Sequence, residues 1–391
     1  MIPYASFWYF AWLLYPTVPT LVLGWLGRLS RYWLFGVTVV VILVQYATPT
    51  PLWVLGAIVP AFVLVMGYAV YQFALTRLFL FARLQGGKRR GIFLVVVALS
   101  LAPLVVVKLA PLGGTEAVIG FLGISYVSFR ALDVVIGIQD GLIEDLPLVE
   151  YFTFLVFFPA ISSGPIDRYR RFGRDWDKTR TREEFVTDLD AGVHKIFMGF
   201  LYKFILAYLI KLYWVDSVSH ANDILSIVSY MYGYSFYLFF DFAGYSMFAI
   251  GFSYLFGIHT PENFHRPFAS ENVQEFWNRW HMSLSFWFRD HVYARFLMAS
   301  ARGKWFKSRQ VTQYLGLALT FGLIGIWHGV AWHYLVYGLY HAGLLIGHDW
   351  FGRWNQTHQV WKASRGWRAL GIVLTFNLVC FGFLIFSGRL G

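Results

Sequence analysis

The sequence predicts an all-α, polytopic integral membrane protein, and three observations carry that prediction. Of its 391 residues, 58% are hydrophobic, 20% aromatic and only 14% charged, whereas soluble domains are ~45–50% apolar and ~25% charged. Apolar runs of roughly 18 or more residues recur from end to end, each long enough to cross ~30 Å of hydrocarbon. The runs are continuous, which excludes the alternation of a membrane β-barrel, and their number excludes a lone signal peptide. About ten or eleven crossings are expected, with re-entrant or interfacial helices between them. They form one membrane-embedded domain over 1–391 whose signature core lies at about 120–350.

The elements follow in order. A first span over about Ser6–Gly27 is followed by Arg28 and Arg31, and a second over Trp33–Ala47 ends in the uncharged turn Thr48-Pro-Thr-Pro51. A third, Leu52–Phe81, leads to the basic loop Arg83 to Arg90, and a fourth, Ile92–Leu109, to a connection without Lys or Arg. A fifth runs over Ala117–Ile138. Connections one and three are basic while two and four are not, so the positive-inside rule puts the N-terminus outside and the Arg28 and Lys88 loops in the cytoplasm. Pro147–Ile161 is too short to span comfortably and reads as re-entrant. Ser162–Lys195, with eight Lys/Arg and seven Asp/Glu, reads as a folded cytoplasmic loop. Spans over Ile196–Tyr213 and Ile224–Gly257 follow, the latter expected to break near Asp241, where a carboxylate is costly unless it faces the bundle interior. Further spans are expected over Val311–Trp327, Val330–Gly347 and Ala369–Ser387, with a basic connection over Arg353–Arg368.

Polar chemistry concentrates in residues 263–296 and in Gly325-Ile-Trp-His-Gly-Val-Ala-Trp-His333. Asn272-Val-Gln-Glu275 has the form of a capping box, which predicts a helix from there to about Met298. Its tryptophans and charges suit a helix at the inner interface or beside a wet cavity better than one facing lipid. His281 lies on it, with a packed, hydrogen-bonded histidine as the bland alternative. His328 sits about 17 residues past the cytoplasmic start of its span, roughly 25 Å along a helix. Ionisable residues so placed are rare and usually functional, and a neutral imidazole is suited to act as a general base. A structural histidine at a helix contact is the alternative. Gly325 and Gly329 beside it permit close approach of a helix or a substrate.

Other classes fit poorly. The excess of +11 charges lies in short connections between spans, as membrane orientation requires, so nucleic acid is not an expected partner. The lone cysteine, Cys380, allows no disulfide framework or thiol metal cluster. His328 and His333 do not share a helix face and no His-Glu-x-x-His occurs, so no metal site is expected. No phosphate-cradling glycine loop or Gly-x-Ser-x-Gly elbow is present. A transporter is the main rival, given Asp133, Asp241 and His328 in apolar stretches. No internal repeat supports it.

The run Glu275-Phe-Trp-Asn-Arg-Trp-His281-Met-Ser-Leu-Ser-Phe-Trp-Phe-Arg-Asp290, followed by Trp327-His328-Gly329, resembles the membrane-bound O-acyltransferases. Gly123 to Arg130, Phe157 to Arg168 and Phe239 to Tyr245 fall where that family has its other recurrent segments. The resemblance covers about Ser125 to Trp350. The alginate-acetylating type follows Arg-Asp with Tyr-Ile-Pro-Leu-Gly-Gly, whereas this chain has His291-Val-Tyr-Ala-Arg295-Phe296, and later Val336 to Ala342 and His348-Asp-Trp. In these it is similar to the family's branch that moves D-alanine onto teichoic acid in Gram-positive bacteria.

The resemblance implies that His328 and His281 are the catalytic pair. It also implies a donor, D-alanine as a thioester on the phosphopantetheine arm of an acidic carrier protein in the cytoplasm, with no permanently bound cofactor. The acceptor is then a hydroxyl of teichoic acid on the outer face of the plasma membrane, reached with the aid of a small membrane partner. On that reading Trp277, Asn278, Trp280, Ser283, Ser285 and Trp327 line or orient the donor tunnel, and Arg295, Met298, Arg302 and Lys304 dock the carrier. O-acetylation of an exported polysaccharide is the alternative within the same chemistry.

Overall fold

The structure is a computed structural model that describes residues 1–47, 49–54, 57–114, 119–361 and 364–390. Thr48 of the expected turn, 115–118 of the fourth connection and fifth span, and Lys362 of the last basic connection lie outside the described residues. Helices come in the order α1 (Phe7–Trp25), α2 (Arg31–Gln45), α3 (Ala61–Gly86), α4 (Arg90–Leu109), α5 (Ile124–Asp140), α6 (Leu148–Val156), α7 (Tyr169–Trp176) and α8 (Arg182–Phe200). After α8, wide π-turns over Leu201–Ala207 and Lys211–Val215 alternate with the short α9 (Tyr208–Ile210) and α10 (Asp216–Val218). Then come α11 (Ile224–Leu255), α12 (Val273–Trp277), α13 (Met282–Phe288), α14 (Ala294–Gly303), α15 (Arg309–His328), α16 (Trp332–His358) and α17 (Arg365–Phe386).

Among the described residues, six helical stretches are long and apolar enough to cross a membrane: α1, α3, Arg90–Gly113, Arg182–Val218, α11 and α17. The other four expected spans fall on α2, α5, α15 and α16, which are shorter or more polar. Three expectations are corrected. The third span starts at Ala61 rather than Leu52, because Pro49–Val54 and Ala57–Pro60 pair as an antiparallel hairpin, β1 and β2, and Pro60 sets the extended backbone from which the helix begins. The folded loop expected over 162–195 ends earlier, since α8 starts at Arg182 and continues into the next span as the stretch Arg182–Val218. The helix α11 runs unbroken through Asp241, whose carboxylate meets the Lys203 ammonium. A charge met by its counter-ion removes the reason for a break.

Contacts divide the chain into two compact units, Met1–Gly199 with Tyr245–Pro261, and Phe200–Gly244 with Glu262–Gly391. In the first unit α5 is buried almost throughout. Its Arg130, 1% exposed, donates to the carbonyls of Phe154 (3.2 Å), Leu155 (3.1 Å) and Ala160 (2.6 Å), which satisfies backbone acceptors at the end of α6 and in the turn just beyond it. Asp133 accepts from Arg168 Nη1 and from the first amide of α7, each at 2.9 Å, so this apolar-stretch carboxylate is a structural anchor. His259 stands between Asp188, 2.7 Å from Nε2, and Asp175, 3.7 Å from Nδ1. Hydrogen bonds to Asp175 and Asp188 push its pKa up to about 9. Burial alone would raise Asp175, but bonds from His259 and Arg171 outweigh it and hold that carboxyl well below its usual range.

In the second unit α15 and α16 form a close antiparallel pair. A Cβ at Gly338 would stand 2.1 Å from the Phe321 carbonyl oxygen, and one at Gly325 2.3 Å from that of Tyr334. Only glycine permits this approach.

Candidate active site

The signature stretch folds from both ends inward. At its start Asn272 Oδ1 accepts the Glu275 amide (2.9 Å), as the capping box predicts. Glu275 turns back to the Glu271 amide (2.6 Å) and pairs with Arg279 (2.5 Å). The single helix expected from 272 to 298 is then corrected. Residues 263–265 lie antiparallel to the segment beyond α12: Phe264 bridges Trp280, the His265 amide donates to Arg279 O (2.9 Å), and the Met282 amide to Asn263 O (2.9 Å). These bonds draw the backbone out of the helix. His281 is left at φ +42°, ψ 50°, a left-handed conformation that a non-glycine residue adopts at a cost of about 1–3 kcal/mol. A second segment holding the strain in place is what lets it persist, and such strain clusters at functional sites.

The His281 side chain is 3% exposed and lies edge-on to Phe242 at 4.7 Å. Its Nε2 has no hydrogen-bond partner. Trp327 connects it with the second histidine, its ring 6.4 Å from His281 and 4.6 Å from His328. His328 is the last residue of α15, and Gly329 beyond it is extended. Around the imidazole stand Phe386 (4.9 Å, edge-on), Tyr334 (6.2 Å) and Tyr337 (6.3 Å). Of the two uses foreseen for Gly325 and Gly329, helix approach is realised: a Cβ at Gly329 would come 2.5 Å from the Tyr334 ring. The arrangement puts two imidazoles, one buried and one in an aromatic box, within 6.4 Å of one indole.

A cavity of about 300 Å³ opens one turn from each histidine, with Ser285 four residues past His281 and Ile324 four residues before His328 in its wall, and neither imidazole lining it. Trp277, Asn278 and Ser285 line it, with Tyr293, Thr320, Phe321 and Ile324. Trp280, Ser283 and Trp327 are not in its wall. Trp280 packs on Phe276 and Phe383, and Ser283 donates to Asn263 Oδ1 (2.6 Å). Along α15 the lining runs from Gln313 to Ile324, and His328 lies one turn further, about 6 Å. Arg295, Met298 and Arg302 sit on α14 and Lys304 ends it at φ +50°. Met298, Trp305 and Phe306 are exposed there, an apolar surface beside basic residues.

Two residues escaped the sequence reading. His341, fully buried, accepts the Trp277 indole N–H at Nδ1 (3.3 Å) and so orients a cavity wall. Asn263 holds Met282 and Ser283. His341 stands in the Val336–Ala342 segment, but nothing local in the sequence pairs it with a tryptophan 64 positions earlier. Among the described residues no three His, Cys, Asp or Glu side chains come together to hold a metal ion.

The model of the membrane-bound O-acyltransferase family matches residues 56–390. The chain is 42% identical to a teichoic acid D-alanyltransferase of Bacillus subtilis, over 100% of its own length and 98% of the relative's. It is 40% identical to one of Lacticaseibacillus rhamnosus, over 99% and 97%. Similarity to a probable alginate O-acetylase of Azotobacter vinelandii is lower and partial, 30% over 68% of this chain and 51% of that one.

Proposed function

The chain belongs to the membrane-bound O-acyltransferase family and is a multi-pass membrane acyltransferase; from that premise we propose that it transfers D-alanine from a carrier-protein thioester to a hydroxyl of teichoic acid. Enzymatic acyl transfer displaces the transporter alternative, and full-length similarity to D-alanyltransferases favours alanyl over acetyl transfer. The observation that carries the mechanism is the cavity whose α15 wall ends one turn short of His328.

The phosphopantetheine arm of an acidic carrier, docked on the basic and apolar surface of Arg295, Met298, Arg302 and Lys304, enters this cavity past Trp277, Asn278 and Ser285. Electrostatics there aids encounter and register more than affinity. His328 takes the proton of an acceptor hydroxyl arriving from the other side of the membrane. That oxygen bonds to the thioester carbonyl carbon, the C–S bond breaks, and the proton passes to the departing sulfur. His281, whose Nε2 is otherwise unpartnered, donates to the developing oxyanion. Reaching both substrates from opposite sides spares the flipping of a charged acyl carrier.

The test uses detergent-purified protein and a D-alanylated phosphopantetheinyl carrier, reading binding and thioester loss in wild type and His328→Ala. Binding in both, with discharge only in wild type, is the expected result. Discharge by the variant at a near wild-type rate removes His328 from the chemistry, and absence of binding in either removes the carrier.

A further inference from the structure

The end of α17 carries a cation that the acyl-donor path does not use. Arg389 follows shortly after Phe386, the ring that meets His328 edge-on. Its Nη2 donates to Ala221 O (2.6 Å) and Asn222 Oδ1 (3.2 Å), and its guanidinium lies over the Tyr230 ring at 5.8 Å. These contacts orient the group without neutralising it. Arg31, Arg168, Arg171, Arg279 and Arg353 each meet a carboxylate, whereas Arg389 meets none among the described residues. The acid nearest in sequence to its anchors, Asp223, caps α11 through the Ser226 amide (3.0 Å). Neutral acceptors can hold a guanidinium, as the three carbonyls hold Arg130, but they leave the Arg389 charge for an anion to meet.

A second nitrogen lies beside it. The preceding residue, Gly388, has φ +73°, and a Cβ there would come 2.7 Å from His333 Nδ1. That Nδ1 and the Arg389 Nε are both buried without a hydrogen-bond partner. The His333 ring contacts Tyr334 at 4.1 Å, and Tyr334 in turn faces His328 at 6.2 Å. His333 thus stands one aromatic ring away from His328, and Arg389 follows the glycine packed against His333.

We propose that Arg389 and His333 form an anion subsite that takes a phosphodiester of a polyol-phosphate acceptor and so presents the neighbouring hydroxyl to His328. The proposal rests on the acyl-transfer reading above. The planar guanidinium fork matches phosphate oxygens, and its neutral anchors keep that fork preorganised. The stacked pair Tyr230–Tyr234, 5.6 Å apart, adds apolar faces and hydroxyls suited to a polyol chain.

Synthetic oligo(glycerol phosphate) and uncharged polyglycerol are compared on the purified full chain, first by direct binding and then as acceptors from the D-alanylated carrier. Arg389→Gln is expected to weaken oligo(glycerol phosphate) binding by on the order of tenfold or more, the range of a lost charged hydrogen bond. KM for the phosphate acceptor rises relative to polyglycerol, the salt dependence of binding shrinks, and Arg389→Lys recovers part of the loss. A wild type that does not bind the phosphate oligomer, no change in Arg389→Gln, or equal losses for both acceptors overturns the subsite. Thermal unfolding separates a misfolded variant from a binding defect, and Arg389→Lys tests the charge if the Gln variant does not fold. If wild type fails to discharge the carrier while binding still depends on Arg389, the donor reading fails and the subsite stands. Discharge with binding indifferent to Arg389 gives the reverse.

Discussion

Replacing Gly338 by alanine tests whether the approach of α15 to α16 sets the position of His328. The new Cβ would stand 2.1 Å from the Phe321 carbonyl oxygen and 2.9 Å from its carbon. An ordinary C···O contact is about 3.3 Å or more, so the two backbones must separate by about 1.2 Å. Both colliding groups are main chain, and no side-chain rotation relieves them. Overpacking of this kind costs about 1–3 kcal/mol. Phe321 lies two turns before His328 on the same helix, so the displacement reaches the imidazole. A misplacement near 1 Å at a reacting group can reduce rate by about 10²-fold. Transfer from the D-alanylated carrier is therefore expected to fall by on the order of 10²-fold in Gly338→Ala, with a lower unfolding midpoint in detergent. Gly343→Ala, on the same helix with no atom within 4 Å of its Cβ, serves as the control and should change stability by no more than about 0.5 kcal/mol. A Gly338→Ala protein with wild-type rate and midpoint would refute the reasoning.

Two further outcomes are expected. At His281, asparagine tolerates the left-handed backbone and still offers an N–H, while alanine does neither; His281→Asn should keep more of both the transfer rate and the unfolding midpoint than His281→Ala, and indistinguishable variants would deny the residue both roles. His259, held up near pKa 9 against an ordinary 6.5, adds stability that is complete below about pH 6.5 and is lost as pH rises through about 9. Unfolding midpoints measured from pH 6 to 10 should fall over the upper part of that range in wild type and stay flatter in His259→Gln; parallel curves would show that the Asp175–His259–Asp188 cluster does not set the dependence.

The helices were legible because length and hydropathy are local properties of the chain. Any run long enough to cross hydrocarbon must satisfy its own backbone polar groups, and a helix does so within the run. The cap at Asn272 was legible for the same reason, since its bonds close within three or four residues. His328 could be singled out because an ionisable side chain in an apolar run stands out by composition alone. Local pattern also misled, as two cases show. Asp241 reads as a helix breaker until Lys203, 38 residues earlier, meets it. Residues 272–298 read as one helix until the 263–265 segment pairs with 279–282 and turns His281 into a left-handed position.

The sequence by itself therefore determined the class of protein, the ten places where apolar helices form or nearly form, and the two histidines in their motifs. The tertiary structure alone decided how those histidines are presented: the strained backbone at His281, the indole of Trp327 near both rings, the His341 bond that orients Trp277, and the cavity that stops one turn from His328. Helix formation draws on hydrogen bonds four residues apart, which a sequence displays directly. The site draws on contacts between segments tens of residues apart, and these exist only once packing has chosen which segments meet.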